Sequence, residues 1–458
     1  MDNKLIPLGN THIALAKTTT ALAITNKLTF NQNLKLVKEI FKKNPQFFID
    51  YISYFYPLNE QLLEKYSDEW NWECLSRNKS LPWKGEFIKR YRNKWNWKIL
   101  SKSEYLPWSQ ELIKRYIRWD WQALSSNESL PWSIELINIF MDSWYWELLS
   151  LNEFLPWSEE LIEKFKDKWS WASYYGLSCS QYLPWSEELI ENFKDKWDWK
   201  DLSGNTSLPW SEIFLEKYTG KWNWESLSWN SALPWSEELF EKYIDKWNWN
   251  ALCWNKALPW TEELIEKYKD KWDWDVLSRN ESLPWTEKFI KIYQDKWDYG
   301  WGELSGLIYN GSLPWTKELI ESFKNKWNWE YLSVNQHIPW SEELIEEYKN
   351  KWDWGYLTQN RSISWSEELI EMYKEQWYWG ILSSHTSLPW SERFIEKYKD
   401  KWNWTSIFYN KGIEWNLRML LKFVINYNDK VVFKNSNIWE VLKPFVDDTL
   451  IEEVFEEI

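Results

Sequence analysis

Three residues at one repeated position of this chain have side chains suited to noncovalent recognition. Trp229, Trp254 and Arg279 each stand six residues before the tryptophan of a Leu-Pro-Trp motif, in three consecutive repeats of 25 residues. An indole ring binds other rings and cations through its face, and arginine supplies a planar cation. The spacing therefore predicts a row of side chains that holds a ligand, not a site that makes or breaks a bond.

This position varies from repeat to repeat, whereas the positions that form the scaffold are nearly constant. Tryptophan, tyrosine and arginine are enriched where proteins meet one another, so we interpret the position as a recognition stripe. The alternative is an exposed position with no binding role, against which the adjacent Trp229 and Trp254 argue. The stripe consists of Arg77, Lys102, Ser126, Leu151, Cys179, Gly204, Trp229, Trp254, Arg279, Tyr309, Val334, Gln359, Ser384 and Tyr409.

Nine residues are the candidates for contact with a partner. Eight belong to the stripe, and the ninth is a tryptophan in an insertion that does not follow the repeat pattern. They are Arg77, Lys102, Trp229, Trp254, Arg279, Trp301, Tyr309, Gln359 and Tyr409.

Residues that carry catalytic chemistry are few. The three histidines, His12, His337 and His385, have no cysteine or acidic neighbour at the spacing of metal ligands. No glycine-rich phosphate loop or Gly-x-Ser-x-Gly turn is present, and the recurring glutamate pairs are explained as helix starts. The sequence predicts no enzymatic activity, no cofactor and no metal.

Tryptophan is the residue that reveals the repeat. The chain has 458 residues and 45 tryptophans, and ten of the thirteen intervals between successive tryptophan pairs are 25 residues long. Insertions lie around 173–180 and 299–309. The pairs begin at Trp70, Trp95, Trp119, Trp144, Trp169, Trp197, Trp222, Trp247, Trp272, Trp297, Trp327, Trp352, Trp377 and Trp402.

Residues 258–282 represent the repeat. Thr261 is the predicted N-cap of a first helix, helix A, of about twelve residues, in which Glu263 and Lys267 have the i, i+4 spacing of an ion pair. The apolar residues of helix A form one stripe that ends at Trp272. Helices this short require neighbours, so the tryptophans are assigned mainly to the core between stacked repeats.

A second short helix, helix B, is predicted after each tryptophan pair. Asp273, between the paired tryptophans, is its expected N-cap, and the helix runs through Trp274 and Leu277. Asn280 follows, and asparagine occupies this place in eleven repeats, where we expect the left-handed conformation that ends many helices. The chain is thus predicted to be an all-α solenoid of about fourteen two-helix repeats.

In architecture, residues 58–415 resemble helical-repeat solenoids such as tetratricopeptide and armadillo arrays. The 25-residue period and the W-x-W…L-S-x-N…L-P-W signature match neither family and resemble a tryptophan-rich repeat that implies no particular activity. Leu277, Ser278 and Asn280 also give a partial likeness to leucine-rich repeats, although Trp272 and Trp274 break the spacing of that family's strand. A leucine-rich-repeat-like horseshoe is the alternative fold.

The two ends of the chain do not carry the regular repeat. We divide the chain into an N-terminal non-repeat segment and cap (1–57), the repeat solenoid (58–412) and a C-terminal cap (413–458). Residues 31–44 are predicted to form an amphipathic helix ended by Pro45. The segment from Ile6 to Leu28 is interpreted either as a docking segment for a second component or as part of the cap.

Charge and composition limit the partners. The formal net charge is −14, which opposes binding to nucleic acid and to anionic lipid. The three cysteines are too few and too widely spaced for a disulfide framework, and no apolar run is long enough to span a membrane. The expected location is therefore the cytoplasm. The favoured function is a non-catalytic scaffold or sensor that binds a protein or peptide on an extended curved surface. Carbohydrate or other aromatic-stacking ligands and single-stranded nucleic acid are the alternatives.

Overall fold

The computed structural model describes residues 28–172, 176–301, 306–427 and 435–458. Within these ranges every regular element is an α-helix or a 3-10 helix, so the chain is an all-α repeat solenoid, as predicted. The horseshoe alternative is wrong, because that fold needs a strand in each repeat and the described residues contain none. The same ranges hold no helix with the length and apolar character needed to cross a bilayer.

The chain forms two compact units. The second unit comprises residues 97–364 and 375–377 and contains most of the repeats. The first unit comprises the described part of the chain up to residue 96 together with residues 365–374 and 378–458.

Helix A begins two residues after each Leu-Pro-Trp tryptophan or its equivalent, and the residue between them is the N-cap. Oγ1 of Thr261 accepts a hydrogen bond of 3.0 Å from the N–H of Leu264, which confirms the predicted N-cap. Leu264 and Ile265 are buried. The helices A are Glu60–Lys65, Gly85–Arg90, Gln110–Arg115, Ile134–Ile139, Glu159–Lys164, Glu187–Asn192, Glu212–Lys217, Glu237–Lys242, Glu262–Lys267, Glu287–Ile292, Lys317–Ser322, Glu342–Glu347, Glu367–Met372, Glu392–Lys397 and Leu417–Phe423.

Helix A is shorter than predicted. In the representative repeat it spans six residues, Glu262–Lys267, and the next residues form turns. These turns bring Trp272 back over the helix, where its Nε1 donates a hydrogen bond of 3.2 Å to the carbonyl oxygen of Ile265. Lys267 pairs with Glu241 of the preceding repeat at 2.7 Å, so the ion pair predicted within helix A is replaced by one between repeats.

Helix B follows the aromatic pair and is four to six residues long in the described repeats. Its predicted cap is confirmed, because Oδ1 of Asp273 accepts a hydrogen bond of 3.2 Å from the N–H of Val276. At the two insertions a 3-10 helix takes its place. These elements are Trp72–Leu75, Trp97–Ser101, Trp121–Ser125, Trp146–Leu149, Leu177–Cys179 (3-10), Trp199–Gly204, Trp224–Trp229, Trp249–Trp254, Trp274–Leu277, Leu307–Tyr309 (3-10), Trp329–Leu332, Trp354–Gln359, Trp379–Leu382 and Trp404–Tyr409.

Tryptophans join each repeat to the next. Trp249 ends the pair of one repeat and Trp272 begins the pair of the next, and their ring centroids lie 4.8 Å apart in an edge-to-face arrangement. Trp260 packs on the same ring of Trp272 at 5.0 Å. Nζ of Lys271 lies 4.9 Å from the Trp249 centroid, a cation–π contact. Most tryptophans therefore serve the scaffold.

The asparagine after helix B forms a ladder of hydrogen bonds between repeats. Nδ2 of Asn280 donates to the carbonyl oxygens of Cys253 and Asn255 at 2.9 and 3.2 Å, and Oδ1 accepts from the N–H of Ser282 at 2.8 Å. Nδ2 of Asn255 donates in turn to the carbonyl oxygen of Ser228 at 2.9 Å. The predicted left-handed conformation is wrong, because the backbone of Asn255 is extended, with φ −71° and ψ 116°.

A buried serine connects successive helices B. Oγ of Ser278 donates to the carbonyl oxygen of Trp274 at 2.7 Å and accepts from the N–H of Asp298, at the start of the next repeat's pair, at 3.0 Å. The end of this helix B is thereby fixed to the aromatic pair of the next repeat. The equivalent bond of 2.9 Å from the N–H of Asn248 to Oγ of Ser228 reaches the N-cap of the helix Trp249–Trp254.

In the first unit the N-terminal and C-terminal regions of the chain pack against each other. The rings of Phe47 and Tyr427 lie 5.1 Å apart, and those of Phe48 and Phe455 lie 5.0 Å apart, both edge to face. Nδ2 of Asn44 donates to the carbonyl oxygen of Val424 at 3.0 Å. The helices involved are 28–43, Pro45–Phe55, Leu417–Phe423, Val424–Asn426 (3-10), Ser436–Leu442, Lys443–Phe445 (3-10) and Asp448–Phe455.

The helix predicted for residues 31–44 is confirmed, since residues 28–43 are helical and Asn44 caps the helix that begins at Pro45. The interpretation of Ile6 to Leu28 as a docking segment concerns residues 6–27, which lie outside the described residues.

Candidate recognition surface

The stripe residue stands at the end of helix B between two buried side chains. In the repeat of Arg279, Ser278 is 0% exposed and Asn280 is 2% exposed. Both are held by the hydrogen bonds between repeats described above, so the side chain between them is turned away from the core. The scaffold thus presents one variable side chain per repeat at an equivalent place.

The three stripe residues with which the sequence analysis began form one continuous stack in the second unit. The indoles of Trp229 and Trp254 lie 5.8 Å apart between centroids, with their planes at 19°. The guanidinium carbon of Arg279 lies 4.5 Å from the centroid of Trp254, on the side of the following repeat. Trp229 remains 47% exposed. A planar surface of two rings and one cation therefore crosses three repeats.

Tyrosines extend this surface through the next repeats. Tyr309 lies 6.4 Å from Tyr331, and Tyr331 lies 5.7 Å from Tyr356, between ring centroids. Burial raises the pKa of Tyr309, and the Arg279 cation opposes that rise, so Arg279 acts on Tyr309 as well as on Trp254. Six side chains from six consecutive repeats form the row: Trp229, Trp254, Arg279, Tyr309, Tyr331 and Tyr356.

Sequence reasoning missed Tyr331 and Tyr356. Each stands three residues before its stripe residue, Val334 or Gln359, and so lies one turn earlier on the same face of helix B. In these two repeats the stripe residue has no aromatic ring, and the position three residues earlier supplies one. The i, i+3 spacing on a short helix was the signal that could have found them.

The remaining stripe candidates are placed individually. Arg77, in the first unit, pairs with Glu73 of its own helix B at 3.5 Å. Lys102 is exposed in the second unit, and Nε2 of the exposed Gln359 donates to the carbonyl oxygen of Gly355 at 3.4 Å. None of these three belongs to the stacked row.

Trp301 is 70% exposed, but it contacts the scaffold at the tryptophan pairs. Its Nε1 donates a hydrogen bond of 2.9 Å to the carbonyl oxygen of Lys326, immediately before the pair that begins at Trp327. The tryptophan pair precedes helix B, whereas the stripe residue stands at the C-terminal end of helix B. The structure therefore gives Trp301 an exposed indole that is separate in its contacts from the row Trp229 to Tyr356.

A depression of about 470 Å³ borders two stripe residues of the first unit, Ser384 and Tyr409. Burial first, and then the charge of Asp50, raises the pKa of Tyr409 to about 12, so the phenol stays protonated at neutral pH. The lining is rich in hydroxyl groups and consists of Ser384, Thr386, Thr405, Ser406, Tyr409, Asn410 and Lys411.

Carboxylates accompany the stripe in the second unit. The pKa of Asp275 is raised by burial and by the charges of Asp298 and Asp273, which places three carboxyl groups near one another. In the neighbouring part of the stripe, burial raises the pKa of Cys179 to about 12, and the charge of Asp201 adds to that rise. Carboxyl groups therefore stand on the helix B that precedes Arg279 and beside Cys179.

Chemically active residue types elsewhere serve the scaffold. His385 occupies the asparagine position, and its carbonyl oxygen accepts hydrogen bonds from Nδ2 of Asn410 at 2.8 Å and Nε1 of Trp390 at 2.9 Å. In the residues for which the structure gives a description, no group of three or more histidine, cysteine or acidic side chains could hold a metal ion.

No protein-family model, curated protein or solved structure matches this chain.

Proposed function

We propose that this chain is a non-catalytic repeat protein that binds a protein or peptide partner along the row from Trp229 to Tyr356. The single observation that supports this proposal most is the stack of Trp229, Trp254 and Arg279, in which Trp229 is exposed and the other two are half-buried. Aromatic residues and arginine are the residue types on which binding energy concentrates at protein interfaces. We expect this binding to take place in the cytoplasm.

The row combines a fixed backbone with variable side chains. In the repeat of Arg279, the buried Ser278 and Asn280 on either side of the stripe residue are tied by hydrogen bonds to neighbouring repeats. Side chains held in this way lose little conformational freedom when a partner binds, which favours affinity. Variation at the stripe position then changes the surface without changing the scaffold.

The test is a triple variant, Trp229→Ala, Trp254→Ala and Arg279→Ala. We expect it to fold and to lose the partners that the unchanged chain captures from the cells in which it occurs naturally, measured by affinity capture and mass spectrometry. The matched control removes three exposed apolar side chains of the same unit away from the stripe, Ile117→Ala, Ile213→Ala and Ile292→Ala. Capture of the same partners by the stripe variant would contradict the proposal.

Carbohydrate is the second candidate ligand, and the depression of about 470 Å³ beside Ser384 and Tyr409 favours it. Hydroxyl groups and an aromatic ring are suited to hold a sugar by hydrogen bonds and stacking. Glycan-array binding that is lost in Tyr409→Ala and kept in the triple variant would support carbohydrate.

Single-stranded nucleic acid is the third candidate. Stacked aromatics could hold bases, but the net charge of −14 opposes the phosphate backbone. Binding that falls steeply as salt rises would support nucleic acid, whereas the carbohydrate mode predicts almost no dependence on salt.

A further inference from the structure

The stack of stripe side chains ends at Trp229, on the side that faces Gly204 of the preceding repeat. Arg279 covers Trp254, and Trp254 covers one face of Trp229. The other face of Trp229 is therefore turned toward the preceding repeat, whose stripe residue is Gly204. Trp229 has no stripe side chain from that repeat to cover it, which agrees with its exposure of 47%.

The space beside Gly204 is open. A Cβ built on this glycine would meet only Cβ of Ser226, at 4.0 Å, which is an ordinary contact distance. The backbone of Gly204 is not in the left-handed region that favours glycine, so the conformation does not require this residue. Gly204 is the last residue of its helix, and its lack of a side chain keeps one side of Trp229 accessible.

Two acidic residues and one basic residue, the exposed Lys200 four residues before Gly204, stand on the two helices that flank this open side. Asp201 precedes Gly204 by three residues on the helix Trp199–Gly204, and so shares its face. Glu225 is exposed on the next helix B, four residues before Trp229. A cation would be attracted to this place, and the ring of Trp229 offers it a face.

The chain itself shows which cation fits the stripe. At Trp254 the covering group is the guanidinium of Arg279, at 4.5 Å. A guanidinium is planar and stacks on an indole while its N–H groups remain available to carboxylates. A lysine ammonium binds a ring as a point charge and cannot continue a stack in the same way.

We propose that the partner inserts an arginine side chain over the free face of Trp229, above Gly204 and beside Asp201. This inference rests on the proposed function and names the chemistry of the partner, an arginine-containing peptide segment. The inserted guanidinium adds one further layer to the stack Trp229–Trp254–Arg279.

The test uses the full chain and a fluorescein-labelled peptide with several arginines separated by glycine and serine, measured by fluorescence anisotropy. Matched peptides replace each arginine by lysine or by citrulline, which keeps the shape and removes the charge. We expect binding of the arginine peptide, weaker binding of the lysine peptide by about tenfold, and the weakest binding of the citrulline peptide.

Two variants fill the open side. Gly204→Trp and Gly204→Gln should each weaken binding of the arginine peptide by about tenfold, since the new side chain covers Trp229. The matched control is Gly220→Trp, because Gly220 is also exposed in the second unit, has no heavy atom within 4 Å of its Cβ position and lies off the stripe. Circular dichroism of each variant checks that the fold is retained.

The outcomes separate the two proposals. Unchanged arginine-peptide binding in both folded Gly204 variants, or equal binding of the lysine peptide, overturns the arginine site. If the arginine site is overturned but the Trp229, Trp254 and Arg279 triple variant still loses its natural partners, the proposed function stands without the arginine site. If that triple variant keeps its partners, the proposed function fails as well.

Discussion

The hydroxyl of Tyr427 donates a hydrogen bond of 2.9 Å to Oδ2 of Asp50, across 377 residues of sequence. Asp50 is fully buried, and its Oδ1 accepts from Gln46 and Asn71, each at 2.8 Å. A buried carboxylate requires such donors, because an unpaired charge is strongly disfavoured away from water. This one carboxyl group therefore helps hold the two ends of the chain together within the first unit.

Replacing Tyr427 by phenylalanine should lower the free energy of unfolding by about 1–3 kcal/mol, since Oδ2 of the buried Asp50 loses a donor. Urea denaturation followed by circular dichroism measures the change. Tyr182→Phe is the matched control, because Tyr182 is 49% exposed and the hydrogen bond of its hydroxyl with Glu153 is made at the surface, where such bonds contribute little. Equal losses in the two variants would contradict the structural role assigned to the Asp50 bond.

Asn280→Ala should destabilise the second unit by about 1–3 kcal/mol, because the buried carbonyl oxygen of Cys253 and the N–H of Ser282 each lose the bond to Asn280, and the carbonyl oxygen of Asn255 loses one of two donors. Lys256→Ala in the same region removes only the exposed ion pair with Glu281 and should change stability by less than about 1 kcal/mol. Both values come from urea titrations. A tolerated Asn280→Ala would show that the ladder does not contribute to stability.

Acid should weaken the contacts between repeats. Hydrogen bonds from Lys374, Lys397 and Tyr398 lower the pKa of Glu371 to about 2 from its ordinary 4.5. Because the pKa is lower in the folded chain, the carboxylate stabilises the fold above about pH 4.5, and this stabilisation is lost as the pH falls toward 2. The corresponding glutamates Glu241, Glu266 and Glu321 are shifted in the same direction.

The measurement for Glu371 is the melting temperature from pH 6 down to pH 3. Glu371→Gln should lower the melting temperature at pH 6 and should make the melting temperature fall less as the pH is lowered. Glu368→Gln, at an exposed position of the same helix, should leave the decline unchanged. A variant Glu371→Gln that melts with the full pH dependence of the unchanged chain would rule out the role given to this carboxylate.

Cys253 should resist thiol reagents in the folded chain. Burial raises the pKa of its thiol to about 12, and the thiolate is the reactive form. Titration with a chromogenic disulfide at pH 8 should therefore be slow without denaturant and rapid in guanidinium chloride. Cys253→Ser serves to assign the signal. Rapid modification of Cys253 in the native chain would mean that this part of the core opens readily.

The repeat scaffold could be predicted from the sequence because each position recurs many times. The caps of Thr261 and Asp273 were identified from their types and places, and the structure has both. The roles of Ser278 and Asn280 could not be derived in the same way. Their partners lie about one repeat away along the chain, and a single repeat considered alone does not show hydrogen bonds to its neighbour.

The recognition surface could be predicted only in part. The variable position identified Trp229, Trp254 and Arg279, but their stacking depends on the distance between successive helices B, which no spacing in the sequence supplies. Tyr331 and Tyr356 were missed because they stand one turn before the variable position. The length of helix A was overestimated, since the return of Trp272 over Ile265 requires turns that its pattern of apolar residues does not reveal.

The asparagine ladder has a consequence for how such a gene can change. A repeat with this asparagine carries both the donor amide for the repeat before it and the acceptor carbonyls for the repeat after it, as Asn255 and Asn280 show. A duplicated stretch of 25 codons would encode a repeat whose two edges already match its new neighbours. The stripe codon of a copied repeat can therefore change while its scaffold codons stay the same. New binding surfaces can arise by duplication of a repeat followed by substitution at one position.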